Sequence, residues 1–371
     1  MSLLLNEEQT MLRDSARDFL RENGPVAQLR RLRDSQDPAG FSGPTWTAFA
    51  ELGYASVAVS EAHGGAGLGA VEIGVLMEQI GRNLSALPFL ASGVVAARLL
   101  HLAGSPEQQS QWLPRIARGE TIATLALDEG PKHRPDSVAL SATRHGGGWT
   151  LAGSKTFVLD GHVASLLLVV ARDTDGLVLF AVPRDTPGLT VERTPMADAH
   201  NAARVLMQGV QLPDAARLSG GSEAALRQTL ELGRAAAAAE LLGIADEVFE
   251  RTLEYLKQRK QFGKLIGEFQ ALQHRAATLY VDIELARAAL AKALHALDST
   301  PQQAAEAVAM AKAKCGSAAT LAVQEGVQMH GGMGMTDQLD FGLFMQRARV
   351  LQELYGDAGW QMDRLARLRG Y

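Results

Sequence analysis

Hydrophobic and polar positions along the chain fall into three regimes. From residue 1 to about 120 the apolar positions recur at helical spacing. Leu5, Gln9, Leu12, Ala16, Phe19 and Leu20 share a face and predict an amphipathic first helix packed on the body of the protein. VEIGVLMEQIGRNL and VVAARLLHLAGS read as buried or half-buried helices, with breaks at PAGFSGP, HGGAGLG and SALPF. From about residue 121 the runs become short and β-rich: TIATLAL, WTLAGSKTFVL, SLLLVVAR, GLVLFAVP and GLTVERT, separated by Gly- and Asp-bearing turns. SLLLVVAR and GLVLFAVP meet across a turn containing Asp175-Gly176, which predicts a hairpin.

From Ser222 the helical spacing returns, with Leu241, Ile244, Val248, Phe249 and Leu256 on one face and Glu247 and Arg251 placed to pair on an exposed side. TLYVDIELARAALAKALHAL and EAVAMAKAKCGSAATLAVQEGVQM are rich in small residues, so close helix packing is expected. The run Ala235 to Ala239 reads as strong helix propensity. The expected fold class is α+β, mainly α. A helical domain over residues 1–120 precedes a central antiparallel β domain over 121–219 and a C-terminal four-helix-bundle domain over 220–371.

Composition narrows the function. Of 371 residues, 47% are hydrophobic and 21% charged, enough apolar content for a large core in two or three domains. A net charge of −5 without clustered Lys and Arg argues against a nucleic-acid partner and favours small-molecule chemistry. The single Cys315 excludes an internal disulfide framework and a cysteine metal cluster, and fits a reducing cytoplasm. The N-terminal leucines are too short a run for a signal peptide or a membrane span.

Two segments carry candidate chemistry. Arg259-Lys260-Gln261-Phe262-Gly263-Lys264 closes one long helix with a Gly-bearing turn, and Phe269-Gln270 opens the next. A guanidinium at such a junction can grip a pyrophosphate through paired N–H donors, with Phe262 and Gln270 touching the rest of a dinucleotide. The plainer alternative is a helix end capped by basic residues and glycine. Gln328-Met329-His330-Gly331-Gly332-Met333-Gly334 ends another helix, and its glycines let backbone amides approach a phosphate or ribose. Its plainer alternative is a flexible interhelical loop.

Together, RKQFGKLIGEFQ and QMHGGMG resemble the paired flavin signatures of acyl-CoA dehydrogenases, and HGG-G, EQIGR and GSKTFV-LDG extend the resemblance over nearly the whole chain. The resemblance implies FAD bound between the β domain and the bundle. It implies that Arg259, Phe262, Phe269, Gln270, Gln328, Gly331 and Gly332 reach the adenine-diphosphate part of a neighbouring subunit's flavin, hence a homo- or hetero-oligomer, a dimer or a tetramer. In the β domain it places Phe157 where the family has a tryptophan against the isoalloxazine; the plainer reading of Phe157 is a core strand residue. Leu159 stands where the family has a hydrogen-bonding threonine, and Leu125, Leu127 and Asp128 lie along the flavin edge, with Asp128-Glu129-Gly130 in place of Thr-Glu-Pro. Arg234, Tyr355 and Gly356 would line the substrate, an acyl-CoA, and an electron-transfer flavoprotein would take the electrons.

The family's reaction needs a carboxylate to remove the α-proton of the thioester. Both positions where the resemblance would put that glutamate, Gly356 and Gly233, are glycine. Glu231 lies roughly 200° around the helix from Gly233 and points elsewhere. Asp357 adjoins Gly356 in a predicted turn and is the nearest substitute, while the Gly356 amide remains to bind the thioester carbonyl. Three readings stay open. The chain is the flavin-carrying subunit of a heteromeric dimer or tetramer whose paralogous partner supplies the base, a self-sufficient enzyme using Asp357 or Asp128, or a non-catalytic structural subunit.

Overall fold

The computed structural model describes residues 4–371. Its helices are α1 (Glu7–Asn23), α2 (Val26–Asp34), α3 (Gly43–Glu51), α4 (Ala70–Asn83), α5 (Ala97–Ala103) and α6 (Pro106–Ala117), then α7 (Ser222–Gln258), α8 (Gln270–Ser299), α9 (Ala305–His330), α10 (Phe341–Glu353) and α11 (Ala358–Leu368). Strands β1 (Ala123–Ala126), β2 (Ser141–His145), β3 (Gly148–Leu159), β4 (Leu166–Arg172), β5 (Leu177–Pro183), β6 (Leu189–Pro195) and β7 (Asn201–Pro213) occupy the middle, and β8 (Lys260–Gln261) and β9 (Lys264–Leu265) form a small hairpin after α7. The first helix starts where Asn6 and Gln9 form a reciprocal capping box, and it buries Ala16 and Leu20. Packing divides the chain into two compact units. The first joins the chain up to Arg30 with Ala70–Ser85 and Arg234–Tyr371, and the second joins Arg31–Gly69 with Ala86–Gly233.

In the second unit the sheet runs β1-β4-β2-β3-β7-β6, with β5 on the other edge of β4. The expected hairpin forms, β4 and β5 pairing from Leu166↔Pro183 to Arg172↔Leu177. The expectation of an antiparallel domain is corrected at one place: β1 runs parallel to β4, and β2 meets the end of the same edge in parallel at Ser141↔Arg172. A parallel pair needs a long crossover, and the passage through β2 and β3 supplies it. Every residue of β4 from Leu166 to Ala171 is buried, so both faces of this central strand are covered, and the run is continuously apolar rather than alternating. Leu167, Val169, Val178, Phe180, Val182, Trp149, Val205 and Met207 form the core beneath it.

In the first unit α8, α10 and α11 pack on α9, and α4 packs on α1 and α8. Ala235–Ala239 are wholly buried, so they serve packing as well as helix propensity. Next to them a methyl on Gly81 would run into the Glu240 carbonyl and one on Gly243 into the Glu78 carbonyl, so the α4 and α7 backbones touch. Arg347 on α10 donates to both carboxylate oxygens of the buried Glu240 at 2.6 and 3.1 Å. Glu247 and Arg251 pair at 2.7 Å as spacing predicts, but half-buried, because Arg251 also reaches Asp340 at 2.9 Å. A polar cleft of about 720 Å³ is lined by Glu78, Arg82, Asp246 and Arg287 among others. Burial and the neighbouring Asp246 push Glu78 up to about 7, against the pull of Arg287 and Arg82. Cys315 is wholly buried and its thiol is pushed up to about 12 by burial.

Candidate active site

In the sheet unit, β1 leads into Leu127-Asp128-Glu129, and β3 passes beside it with a break in register between Lys155 and Val158. Thr156 donates its amide to the Asp128 carbonyl at 2.7 Å, and the extra residue at the bulge, Phe157, takes φ +50 and is 49% exposed. Phe157 is therefore not a core strand residue: the sheet holds an aromatic ring outward in a strained backbone conformation. Leu125 and Leu127, expected along the flavin edge, are both buried, and the Leu127 carbonyl accepts from Lys155. The Asp128 carboxylate stands 3.1 Å from His133 Nδ1 and accepts from the Arg134 amide at 3.3 Å.

Sequence reasoning missed what fixes this edge. Lys155 is wholly buried and donates to the Leu127 carbonyl at 3.0 Å and to Glu129 at 2.7 Å. Burial pulls its ammonium below the usual lysine range, against the opposing pull of Glu129. Glu129 also accepts from the Ala139 and Leu140 amides at 2.7 and 2.9 Å. With its oxygens so occupied, Glu129 is a structural carboxylate. The only hint in the sequence is a lysine inside an otherwise apolar and small-residue strand.

In the helical unit, the Arg259 segment is a two-residue hairpin. Phe262 (φ +54) and Gly263 (φ +80) are both left-handed, as a type I′ turn requires, between β8 and β9. Arg259 begins it, its amide bonded to the Tyr255 carbonyl and its carbonyl to the Ile266 amide, both at 2.9 Å. Arg259, Phe262, Gln270, Gln328, Gly331 and Gly332 are all exposed. Phe262 stands edge-on to the half-buried Phe269 at 6.2 Å, and Lys264 lies over the Phe269 ring. The hairpin and the glycine turn are brought together by one small core of Leu256, Ile266 and Met329 with Tyr255, Phe269 and Leu272. His330 stacks on Tyr255 at 4.1 Å, tying the end of α9 to the end of α7. An added Cβ at Gly331 or Gly332 meets nothing within 4 Å, so the backbone there is open to a ligand.

A third feature is the turn joining α10 to α11. Tyr355 (φ +57) and Gly356 (φ +102) are both left-handed and buried. Buried donors grip this turn from three elements. Arg234 Nε donates to the Tyr355 carbonyl at 3.0 Å, and Gln361 Nε2 donates to the Tyr355 and Gly356 carbonyls at 3.1 and 3.3 Å. Lys312 Nζ donates to the Leu351 and Gln352 carbonyls at 2.8 and 3.1 Å and reaches Gly356 O at 3.5 Å. Arg234, expected at the substrate, is thus 2% exposed and clamps the peptide of Tyr355. The Gly356 amide, expected to await a thioester carbonyl, donates to the Glu353 carbonyl at 3.2 Å and closes the end of α10. The Asp357 carboxylate accepts the Trp360 amide at 2.8 Å as the N-cap of α11, an engagement that competes with the role of a base. Gly233 and Glu231 on α7 are buried.

Lys312 makes a pH prediction. Burial, then the charge of Arg234, push its ammonium down to about 7. An unfolded lysine titrates near 10.4, so between those values unfolding takes up a proton and stability rises with pH. That stability is lost as pH drops toward 7 and levels off below it, where the folded chain must bury the charge. The melting temperature of the wild-type chain, relative to Lys312→Met, will therefore climb between about pH 7 and about pH 9.5; parallel profiles would show that Lys312 does not titrate there.

These features meet known proteins at every level compared. Residues 6–120, 129–210 and 220–368 match the N-terminal, middle and C-terminal domains of acyl-CoA dehydrogenases. Acyl-CoA dehydrogenase FadE27 of Mycobacterium tuberculosis is 31% identical over 338 residues, covering 88% of this chain and 88% of that protein. Among solved structures, a variant of the Tcur3481-Tcur3483 steroid ACAD is 32% identical with a TM-score of 0.90 over 98% of both chains. The ChsE4-ChsE5 complex from Mycobacterium tuberculosis is 27% identical with a TM-score of 0.92 over 100% of both. With the hairpin, the glycine turn and the exposed aromatic at the sheet edge in place, the chain belongs to the acyl-CoA dehydrogenase family of FAD-dependent oxidoreductases.

Proposed function

We propose that this chain is the flavin-carrying subunit of a heteromeric acyl-CoA dehydrogenase whose α-proton is removed by a carboxylate from a paralogous chain. The observation that carries this reading is the turn at Gly356: glycine stands where the family resemblance puts the base, and the adjoining Asp357 carboxylate caps a helix. The complexes formed by the similar Tcur3481-Tcur3483 and ChsE4-ChsE5 proteins support it. The first of these is described as a steroid enzyme, which favours a bulky acyl-CoA as substrate. An electron-transfer flavoprotein would take the electrons onward.

The residues present fit FAD. Arg259 offers an exposed guanidinium to a diphosphate, Gly331 and Gly332 offer open backbone, and Phe157 offers an outward aromatic face. When bound, FAD accepts the hydride equivalent from the substrate's β-carbon. In this reading the Arg259 hairpin and the Gln328 turn fix the adenine-diphosphate end of a neighbouring subunit's cofactor. Phe157 orients the ring system and excludes water from one face. The Gly356 amide shifts from Glu353 to the thioester carbonyl as charge develops there. The α-proton leaves to the partner's carboxylate.

A second reading, a structural subunit that completes its partner's site, is favoured by Leu159 and Asp128. The first cannot donate a hydrogen bond, and the second presents a carboxylate engaged by His133. Purifying the chain alone and with its paralogue, with FAD content and acyl-CoA oxidation measured on each, separates the two. FAD in this chain's own protomers with turnover only in the mixed assembly is expected. Turnover by the chain alone sinks the partner-base reading, and a flavin-free chain that still activates its paralogue establishes the structural one.

A further inference from the structure

The missing glutamate at position 356 raises a question of space, because a glycine in the base position could be a vacancy that one substitution refills. The side chains around it say otherwise. A Cβ built on Gly356 would lie 2.5 Å from Trp360 Cε3, 2.8 Å from Trp360 Cδ2 and 3.1 Å from Gln361 Nε2. The first two are closer than carbon atoms approach without displacing one another. The half-buried indole is held from two sides. The Trp360 backbone amide is fixed by Asp357 at 2.8 Å, and the guanidinium carbons of Arg234 and Arg364 stand over the ring at 4.7 and 5.7 Å. Arg234 is fixed in turn by the Tyr355 carbonyl, and Gln361 is wholly buried on the carbonyls of the same turn. The backbone adds a separate barrier, since φ +102 at Gly356 disfavours any L side chain.

We infer that Trp360 is the residue that closes this turn to a base: its ring fills the place where a side chain on residue 356 would begin. This deepens the proposal of a partner-supplied carboxylate and rests on it for its functional meaning, but the packing claim stands by itself. The absence of a base in this chain is built into α11 as well as into residue 356, and Arg234 and Arg364 act as positioning residues that hold the ring there. Trp360 thereby keeps the base out of this turn of this chain.

The test is a thermal-unfolding cycle on the intact assembly, comparing wild type, Gly356→Ala, Trp360→Leu and the double variant. Leucine has no atom in place of Cε3, the closer of the two. Gly356→Ala is expected to lower the melting temperature by roughly 5 °C with tryptophan present, and by less than half as much in the Trp360→Leu background, where the backbone barrier and the looser Gln361 contact remain. Equal losses in the two backgrounds overturn the inference. If Trp360→Leu does not fold, Trp360→Met keeps the cycle open, because a flexible thioether can yield to the added methyl. Gly356→Glu supplies a second arm: it should melt well below wild type and give no acyl-CoA-dependent flavin bleaching without the paralogue. A Gly356→Glu chain that melts like wild type, or bleaches its flavin alone, also overturns it. Failure of the partner-base reading would show instead as turnover by the wild-type chain, which leaves the melting cycle untouched.

Discussion

Arg259→Ala will empty the flavin site of the assembly while leaving the fold intact. The guanidinium is exposed at the start of the β8–β9 hairpin, where its loss removes no core contact. Paired charge-assisted hydrogen bonds to a diphosphate contribute about 3 kcal/mol, so FAD should bind on the order of 100-fold more weakly. Arg259→Lys should recover only part of this, since an ammonium cannot match two phosphate oxygens in one plane. Titrating apo-assembly with FAD by flavin fluorescence, with melting temperature as the control for folding, measures it. Undiminished FAD affinity in Arg259→Ala would remove this hairpin from the cofactor site.

The second large effect is a contrast between two substitutions at Asp357. As a helix cap it can be replaced by asparagine, whose side-chain oxygen accepts the Trp360 amide equally well, whereas alanine should cost about 1 kcal/mol. Asp357→Asn should therefore keep both stability and turnover in the mixed assembly, and Asp357→Ala should melt a few degrees lower with turnover retained. A catalytic base behaves in the opposite way, since asparagine cannot take a proton and the rate would fall by about 10²- to 10⁴-fold. Steady-state kinetics on the two variants decides between cap and base.

Features of local origin are legible in the sequence. Asp175-Gly176 marks a hairpin because turn chemistry acts within a few residues. The Arg259 and Gln328 segments are legible as a pair through the family resemblance, and each has a local backbone feature that its glycines announce, the left-handed Phe262-Gly263 turn and the open Gly331-Gly332 backbone. What escapes depends on partners distant in the chain. The parallel pairing of β1 with β4 leaves no periodic trace, and the Ala235–Ala239 run shows its packing role only once α4 lies against α7 at Gly81 and Gly243. Lys155 and Lys312 escape for another reason. Each satisfies backbone carbonyls, Leu127 for the first and Leu351 and Gln352 for the second, and a carbonyl has no letter in the sequence. Asp357 looks like a base on adjacency alone, because the sequence around it reads as a continued turn and hides the start of α11 at Ala358, which recruits its carboxylate.

The buried thiol of Cys315 has a practical consequence. Sealed within α9 and donating toward the Ala286 carbonyl at 3.7 Å, it offers no thiolate to an alkylating reagent while the chain is folded. The folded chain is therefore expected to resist maleimides at this cysteine. A reporter cysteine placed at exposed Lys260, on the hairpin proposed to meet a neighbouring subunit, could carry a dye without deletion of the natural one, and protection of that dye on mixing would follow assembly in real time.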